Sequence, residues 1–398
     1  MKGKLKMIII GILCIVWGCA LFVSCSSSEG FDWKRLSLQK YEEKSFATAE
    51  DFEAVSIVSD TDDIIILPSA DNTTKVEYTA SNVLDYDIRV ADGKLNIQML
   101  DNRKWYHHIN IYTPSITLTI YLPERQYQAF SVQADTGDVT SVNSFTFGAL
   151  NIHVSTGDLS LSNLTCDSVA LTVSTGDISV SNFKVSGDFY ADSSTGEKTF
   201  HNVSCNNATI TASTGDLFLS NIQASGHVSV ESSTGDQKYD NLTCNNATMI
   251  SSTGDKTIST LTAFGNLTIQ SGSGENSFNN IVCNELKVTT STGRQTYADV
   301  SCGATELRAD TGKIHMTNLV SSALLNITTD TGDILFDNCD AASMKIKADT
   351  GDVKGTFRTP KVIYADTDTG RVNIPHSAEG GLCEITTDTG NINIEFVG

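Results

Sequence analysis

The stretch STGDLSLSNLTCDSVALTV, residues 155–173, is one unit of a sequence repeat, because a tetrapeptide of the same type begins again as STGD at 174–177. After each tetrapeptide, apolar and polar residues alternate, as around Leu159, Leu161 and Leu171. Alternation with a period of two indicates β-strands. One repeat is therefore predicted to contain two short strands and two turns, which is too little to bury a hydrophobic face by itself.

Tetrapeptides of this kind recur along the chain at intervals of 19 or 20 residues. Their turn glycines are Gly137, Gly157, Gly176, Gly196, Gly215, Gly235, Gly254, Gly274, Gly293, Gly312, Gly332, Gly351, Gly370 and Gly390. Because one repeat cannot form a core, successive repeats are predicted to stack. The predicted fold is an all-β, single-stranded parallel β-solenoid (β-helix) over residues 135–398, with about 14 regular coils of 19–20 residues that each rise about 4.8 Å.

Two positions of the repeat are apolar in nearly every coil. Residues such as Leu219 and Tyr239 stand four positions after the glycine, interrupted by Gly355, and residues such as Ile222 stand seven positions after it. These positions are predicted to form the inward rows of the core. Small hydroxyl residues between them are predicted to face solvent without large apolar patches: Ser160, Ser162, Ser179, Ser181, Thr209, Thr211, Thr257 and Ser259.

Asparagine recurs six residues after the turn glycine. A short amide side chain can hydrogen bond to its own kind one coil above and one coil below. This column is therefore predicted to be an asparagine ladder in a buried turn. Its members are Asn143, Asn163, Asn182, Asn202, Asn221, Asn241, Asn280, Asn318 and Asn338.

Residues 38–134 precede the regular repeats, and the tetrapeptide motif degrades there. Stretches at 64–66, 76–78, 95–97 and 116–122 still have the character of strands. Because an exposed solenoid end needs protection, this region is predicted to form irregular opening coils that cap the rod.

The amino terminus determines the predicted compartment. Three lysines precede an uncharged apolar segment at 7–23, and residues 1–25 thus resemble a signal anchor, a lipoprotein signal or a cleaved signal. Cys25 is a candidate lipidation site, because residues 22–25 approximate a lipoprotein cleavage sequence. Residues 26–37 would form a linker. All three alternatives export the chain, and the first two tether it to the cell membrane with the rod on the extracytoplasmic side.

Composition narrows the class of partner. The 398 residues include 27 basic and 47 acidic side chains, which gives a formal net charge of −20. Such a surface repels phosphate backbones and anionic lipid headgroups, so nucleic acid is excluded as a partner. The membrane is expected as a partner only through the amino-terminal segment, and the remaining candidate partner is a ligand of the cell envelope or of a host surface.

Several features together resemble the bacterial putative-adhesin family of β-strand-repeat proteins. They are the membrane-proximal segment, the sequence FEAVSI at 52–57 with the Asp-rich turn after it, Leu122-Pro123-Glu124 closing a strand, and the repeated Ser-Thr-Gly-Asp coils. The resemblance spans residues 38–398. It implies a location in the envelope of mostly Gram-positive bacteria. It also implies a family of unknown function that has no established catalytic motif.

The residue after each turn glycine is acidic in most coils, for example Asp138, Asp158 and Asp177, and DTGD at 330–333 and 349–352 adds a second acid. Calcium is one interpretation of this column, but calcium needs six to eight oxygen ligands that wrap around it. Capping of the Thr-Gly turn by a carboxylate explains the same pattern without a metal. We therefore predict no metal site and no cofactor.

Seven cysteines lie in the repeats. Cys166, Cys205, Cys244 and Cys283 are 39 residues apart, or two coils, which is beyond the reach of a disulfide. Only Cys283 and Cys302 occupy adjacent coils. The cysteines are predicted to be small buried hydrophobic residues.

No set of residues in the sequence has the pattern of a catalytic site. The mixed-charge group of Lys287, Arg294, Glu306, Arg308 and Lys313 is interpreted as relief for the acidic column. The predicted function is an extracellular, membrane-tethered, non-catalytic rod for adhesion or envelope interaction. Two alternatives stay open, namely a structural or stress-related envelope component without an external ligand, and an enzyme that acts on polysaccharides.

Overall fold

A computed structural model describes residues 41–103 and 116–397, and every regular element in these ranges is a β-strand. The strands stack into a parallel β-solenoid of about 13 turns, so the predicted fold class is confirmed. The segment predicted as a membrane anchor or signal, residues 1–25, and the linker at 26–37 lie outside the described residues.

Seven strands form the amino-terminal end. They are β1 (Tyr41–Thr48), β2 (Ala54–Ser59), β3 (Asp63–Pro68), β4 (Thr74–Ser81), β5 (Leu84–Ala91), β6 (Lys94–Asp101) and β7 (Thr117–Leu122). The four stretches predicted as strands fall in β3, β4, β6 and β7.

The regular stack follows. Its strands are β8 (Gln126–Thr136), β9 (Val139–Ser141), β10 (Phe145–Thr156), β11 (Leu159–Ser162), β12 (Leu164–Thr175), β13 (Ile178–Val185), β14 (Phe189–Thr195), β15 (Lys198–Cys205), β16 (Ala208–Thr214), β17 (Leu217–Ala224), β18 (His227–Thr234), β19 (Gln237–Cys244), β20 (Asn246–Thr253), β21 (Lys256–Ile258), β22 (Leu261–Ser273), β23 (Asn276–Thr292), β24 (Gln295–Thr311), β25 (Ile314–Thr317), β26 (Val320–Thr331), β27 (Ile334–Thr350) and β28 (Val353–Phe357). The carboxy-terminal strands are β29 (Lys361–Thr369), β30 (Val372–Asn373), β31 (Gly381–Thr389) and β32 (Ile392–Phe396).

A regular coil consists of a bent strand followed by a straight strand. After Gly196, β15 changes direction at Asn202, where φ is 54°, and β16 then leads to the next glycine. Each such coil therefore changes direction three times, once more than predicted, and the additional bend lies at the asparagine. Neighbouring coils pair in parallel, and Leu219 lies opposite Phe200 on one side and Tyr239 on the other.

The core is one continuous apolar cluster along the rod, and both predicted inward rows belong to it. Leu219 is 1% exposed and Ile222 is 2% exposed, and Tyr239 is fully buried. Aromatic side chains in successive coils pack against each other, as Phe278 and Tyr297 do with ring centres 4.9 Å apart and ring planes tilted by 32°. The hydroxyl residues predicted to face outward are half-buried or exposed.

The last coils do not stack in chain order. The N–H of Gly351 donates to the carbonyl of Thr389 at 2.9 Å, and the N–H of Gly390 donates to the carbonyl of Thr369 at 3.0 Å. Consequently β31 lies between β27 and β29, and β32 lies between β28 and β30. The prediction that each repeat stacks on the one before it is wrong here, because all repeats share the same pattern of strands and turns, so β31 and β32 can pair with β27 and β28.

The outermost coil at this end is therefore the one around Gly370. In it, Tyr364 is 65% exposed and Val372 is 42% exposed. A buried ion pair anchors the strand, because Lys361 Nζ lies 2.6 Å from the carboxylate of Asp340 in β27. Lys361 is 4% exposed.

The amino-terminal end has the same displaced order. β2 pairs in parallel with both β6 and β8, and β3 pairs with both β7 and β9. Beyond them, β5 pairs antiparallel with β6, while β4 pairs antiparallel with β7 and β1. The predicted opening coils are thus closed by antiparallel strands, which end the parallel stack.

Hydrogen exchange tests the order of the carboxy-terminal coils. We expect backbone amides of β31 and β32 to exchange more slowly than those of β29 and β30, although β31 and β32 come later in the chain. The reason is that each of them has strands on both sides. The measurement is site-resolved amide exchange by mass spectrometry, with β17 as the internal reference for a central coil. Faster exchange in β31 and β32 would contradict the displaced order.

Candidate functional site

The glycine corners connect each coil to the next. Thirteen of the fourteen turn glycines have φ between 110° and 159°, a region that favours glycine. At Gly215, a Cβ atom would lie 2.0 Å from the carbonyl oxygen of Gly196, while its own N–H donates to Thr234 in the following coil at 3.0 Å. Glycine is therefore required here by both backbone conformation and contact distance.

The acidic column beside these corners has a defined structural task. Asp158 Oδ1 accepts the backbone N–H of Asp177 in the next coil at 2.8 Å, and Asp236 accepts that of Asp255 at 2.9 Å. The column begins at the amino-terminal end, where Asp63 accepts the N–H of Asp138 at 3.1 Å. The sequence predicted capping within one turn, whereas the carboxylates cap the backbone of the neighbouring coil.

Basic residues interrupt the column towards the carboxy-terminal end. Lys313 Nζ lies 2.8 Å from Asp333, and this contact lowers the pKa of the Asp333 carboxyl. On the adjoining face, Lys287 lies 3.1 Å from Glu306. Lys287 and Lys313 thus pair with acids of neighbouring coils, whereas Arg308 pairs with Asp310 on its own strand at 3.2 Å. Within residues 41–103 and 116–397, no three His, Cys, Asp or Glu side chains converge as a metal site would require.

The asparagine column lies at the surface, so the predicted buried turn is wrong. Eight of its nine members have φ between 53° and 61°, a left-handed conformation that asparagine tolerates better than most residues. These eight are Asn163, Asn182, Asn202, Asn221, Asn241, Asn280, Asn318 and Asn338, while Asn143 is not among them. The physical reason for asparagine is therefore a bend on the outside of the coil.

Amide contacts between coils occur in short runs along this column. Asn202 Nδ2 donates to Asn182 at 2.7 Å, and Asn182 donates to Asn163 at 3.0 Å. A further contact joins Asn241 to Asn221 at 2.7 Å. These bonds link the outer bends of adjacent coils.

The seven cysteines of the repeats are all buried, and their thiols are free in this structure. Burial raises the pKa of Cys205 and of Cys244 to about 11. Such thiols are protonated at neutral pH, which makes them poor nucleophiles and poor metal ligands.

A feature that the sequence analysis missed is a strip of polar side chains inside the rod, beneath four glycine corners. We call it the polar seam. All of its side chains are buried, and they are Ser232, Gln237, Ser251, Lys256, Ser271, Asn276, Thr290 and Gln295. The sequence does carry a signal for it. Gln237, Lys256, Asn276 and Gln295 stand two residues after the turn glycine, at the position where other coils have an apolar residue such as Leu159, Leu217 or Ile314.

Hydrogen bonds satisfy part of the polar seam. Lys256 Nζ donates to Ser251 Oγ at 3.0 Å, and the hydroxyls of Ser251 and Ser271 are 3.0 Å apart. Gln295 donates to Thr290 at 2.7 Å. Three atoms of the seam have no hydrogen-bond partner among the described residues: Ser232 Oγ, Gln237 Nε2 and Asn276 Oδ1.

Lys256 is the most costly member of the polar seam. It is 0% exposed, and its amino group contacts a hydroxyl and a backbone carbonyl, with no carboxylate as partner. Burial lowers the pKa of Lys256 to about 7. The lysine thus weakens the core whenever it is charged.

A buried carboxyl lies near the amino-terminal end. Asp62 is 0% exposed and accepts a hydrogen bond from Ser59 at 2.9 Å. Burial raises the pKa of Asp62 to about 7. Since it is enclosed, its carboxyl group has no open path to a substrate in solution.

The described part of the rod carries several surface depressions. One of about 370 Å³ lies at the amino-terminal end, lined in part by Glu50, Asp51 and Arg125. The Arg125 guanidinium lies over the rings of Phe52 and Tyr127, at 4.9 and 5.0 Å. Arg125 thus packs as part of the end of the core and also pairs with Asp51. In residues 41–103 and 116–397 there is also no helix of the length and apolarity needed to cross a membrane.

The fold and these columns define a parallel β-solenoid repeat protein whose acidic corners are structural. The chain belongs to the Toastrack DUF4097 family, whose model matches residues 52–187, 184–263 and 255–397. No curated protein matches the chain.

Among the solved structures that match the chain are three bacterial proteins of low identity. A putative adhesin of Bacteroides fragilis NCTC 9343 is 12% identical, with 90% of this chain and 97% of that chain covered and a TM-score of 0.24. A putative cell adhesion protein of Clostridium sporogenes ATCC 15579 is 10% identical, with 89% and 100% covered and a TM-score of 0.17. A putative lipid binding protein of Parabacteroides distasonis ATCC 8503 is 11% identical, with 89% and 97% covered and a TM-score of 0.18.

Replacing the buried lysine should stabilise the rod. The folded state releases the Lys256 proton near pH 7, whereas the unfolded state holds it to about pH 10.4. Between these values the unfolded state binds more protons at this residue, so the contribution of Lys256 to the free energy of unfolding should rise with pH by about 1.4 kcal/mol per unit. Lys256→Met should therefore raise the free energy of unfolding most at pH 6 and much less at pH 9.5, as measured by urea unfolding.

The matched control is Lys238→Met, because Lys238 is exposed in the adjacent coil and pairs in register with Thr257. We expect this variant to change stability by less than about 0.5 kcal/mol at both pH values. Equal gains for the two variants would show that Lys256 is not desolvated.

Proposed function

We propose that this protein is an extracytoplasmic, membrane-tethered, non-catalytic rod that presents a polar surface for adhesion or interaction with the cell envelope. The main support is a column of hydroxyl side chains on the outside of the straight strands. Its members pair in register across four successive coils, and they are Thr209, Ser229, Thr248 and Thr268. We call this the hydroxyl column.

The hydroxyl column has properties that suit a repeating polar polymer. Its residues are half-buried, so their hydroxyls face solvent while the strands hold them in place. The spacing of about 4.8 Å between coils is set by the backbone hydrogen bonds. A surface that is already ordered loses little conformational entropy when it binds. The ligand class that we infer is an envelope or host-surface polymer with repeated hydroxyl or amide groups.

The negative net charge of the chain supports the proposal that a separate segment tethers the rod to the membrane. With a net charge of −20, the rod is repelled by anionic lipid headgroups and by nucleic acid. Contact with the membrane is therefore assigned to residues 1–25 alone, through an apolar helix or a lipid on Cys25. The capped end contains β1 (Tyr41–Thr48), the described strand nearest in sequence to residues 1–25, so the opposite end is the one that would point away from the membrane.

Fractionation of cells tests the tether. We expect the full chain in the membrane fraction, and we expect protease added to intact wall-stripped cells to digest it, because the rod lies outside. Cys25→Ser then separates the two anchors, since only a lipidated protein would lose membrane retention through this change. Full-length protein in the cytosol, protected from protease, would overturn the proposed location.

Retention of envelope polymers tests the binding surface. Immobilised protein should retain labelled envelope polysaccharide, and replacing all four residues of the hydroxyl column with Glu should abolish retention by adding charge and bulk. The matched control places four Glu residues on the bent strands of the same coils, at Ser204, Gln223, Thr243 and Thr262, which also pair in register. Equal loss in both variants would show that the hydroxyl column is not the site.

The same experiment addresses the alternatives. Retention of nothing by the natural protein would favour a structural or stress-related component without an external ligand. Release of shortened polysaccharide would instead favour an enzyme, which would need a pair of carboxylates as acid and base.

A further inference from the structure

Cysteines recur in one inward column of the rod. In most of this column, two cysteines are separated by one coil that has a different residue at the same position. Cys205 pairs in register with Ala224, Cys244 pairs with Ala263, and Ala263 pairs in turn with Cys283. At one place two adjacent coils both have a cysteine at this position, and Cys283 pairs directly with Cys302. Ser321 follows Cys302 in the next coil.

The two adjacent thiols are in contact. Their Sγ atoms are 3.0 Å apart, and the residues are 7% and 5% exposed. Residues in register on adjacent strands are about 4.8 Å apart along the rod, which falls in the range of about 4.4 to 6.8 Å between Cα atoms that a disulfide spans. A small change of side-chain rotation would therefore bring the sulfurs to bonding distance.

We propose that Cys283 and Cys302 form a disulfide that joins two adjacent coils. The oxidant is a dithiol–disulfide oxidoreductase or a small-molecule disulfide. One cysteine thiolate attacks the disulfide of the oxidant, and a mixed disulfide forms while one thiolate leaves. The second cysteine then attacks the mixed disulfide and releases the other thiolate. The two protons of the cysteines end on the released thiols, and the cysteine pair loses the two electrons that the oxidant gains.

Because both sulfurs are buried, the stage of folding determines when the disulfide can form. In the folded rod both sulfurs are enclosed, so the oxidant reaches them while the coils are assembling or during local opening. Once formed, the bond closes a loop of one coil and limits the freedom of the unfolded chain. The oxidising compartment rests on the proposed export, whereas the pairing of the two residues rests on the coil geometry alone.

The test uses the purified full chain, so it does not depend on location in the cell. The protein is refolded with a mixture of oxidised and reduced glutathione, free thiols are labelled with a maleimide under denaturing conditions, and the digest is examined by mass spectrometry. We expect the peptides that contain Cys283 and Cys302 to be joined and unlabelled, while Cys166, Cys205 and Cys244 are labelled. Full labelling of Cys283 and Cys302, or a link of either to another cysteine, would overturn the proposal.

Thermal unfolding supplies a second readout. A reductant should lower the melting temperature of the oxidised protein by several degrees. Cys302→Ser should remove this dependence on reductant. The matched control Cys205→Ser, at an equally buried residue of the same column with 7% exposure, should retain it. Loss of the dependence in both variants, or in neither, would contradict a specific bond between Cys283 and Cys302.

Discussion

The close stacking of glycine corners is the constraint on which the rest of the rod depends. At Gly351 the backbone oxygen of Gly332 occupies a point 2.1 Å from where a Cβ would stand, and comparable distances recur along the column. No side chain fits there, and twelve of the fourteen corner N–H groups donate to a backbone carbonyl of a neighbouring coil. Because the corners are fixed one above another, every other position of the repeat is also held in a column. This contact therefore sets the distance from coil to coil for the apolar core, for the acidic caps and for the outer hydroxyls.

The stacked backbone explains how a strongly acidic surface is tolerated. Carboxylates in adjacent coils repel each other, yet those at Asp138, Asp158 and Asp236 each accept an N–H from the coil beside them. A hydrogen bond to a charged group contributes about 1.5 to 3 kcal/mol, which is comparable to the repulsion between solvated neighbours at this spacing. The acids are therefore part of the stack, and this structural task accounts for their regular recurrence.

The period, the inward rows and the strands could be predicted from the sequence because they depend on local alternation and on glycine, as at Leu219 and Gly215. The position of the asparagine column could not, since an amide ladder in the core and a left-handed bend at the surface both favour asparagine. Lys256 was missed because the column two residues after the glycine mixes apolar residues such as Leu159 and Leu217 with polar ones, so it has no single residue type. The displaced order of the terminal coils leaves no trace in repeats that resemble each other so closely.

The displaced order also has a consequence for synthesis of the chain. Strands β29 and β30 leave the ribosome before β31 and β32, yet they take the outer place, and the later strands must fill the space inside them. In the finished rod, Lys361 of β29 reaches Asp340 of β27 although β31 lies between these two strands. Because domains fold as they are synthesised, a chain interrupted before residue 381 would carry an unclosed end. The carboxy-terminal end of the rod can therefore close only after β31 and β32 have been synthesised.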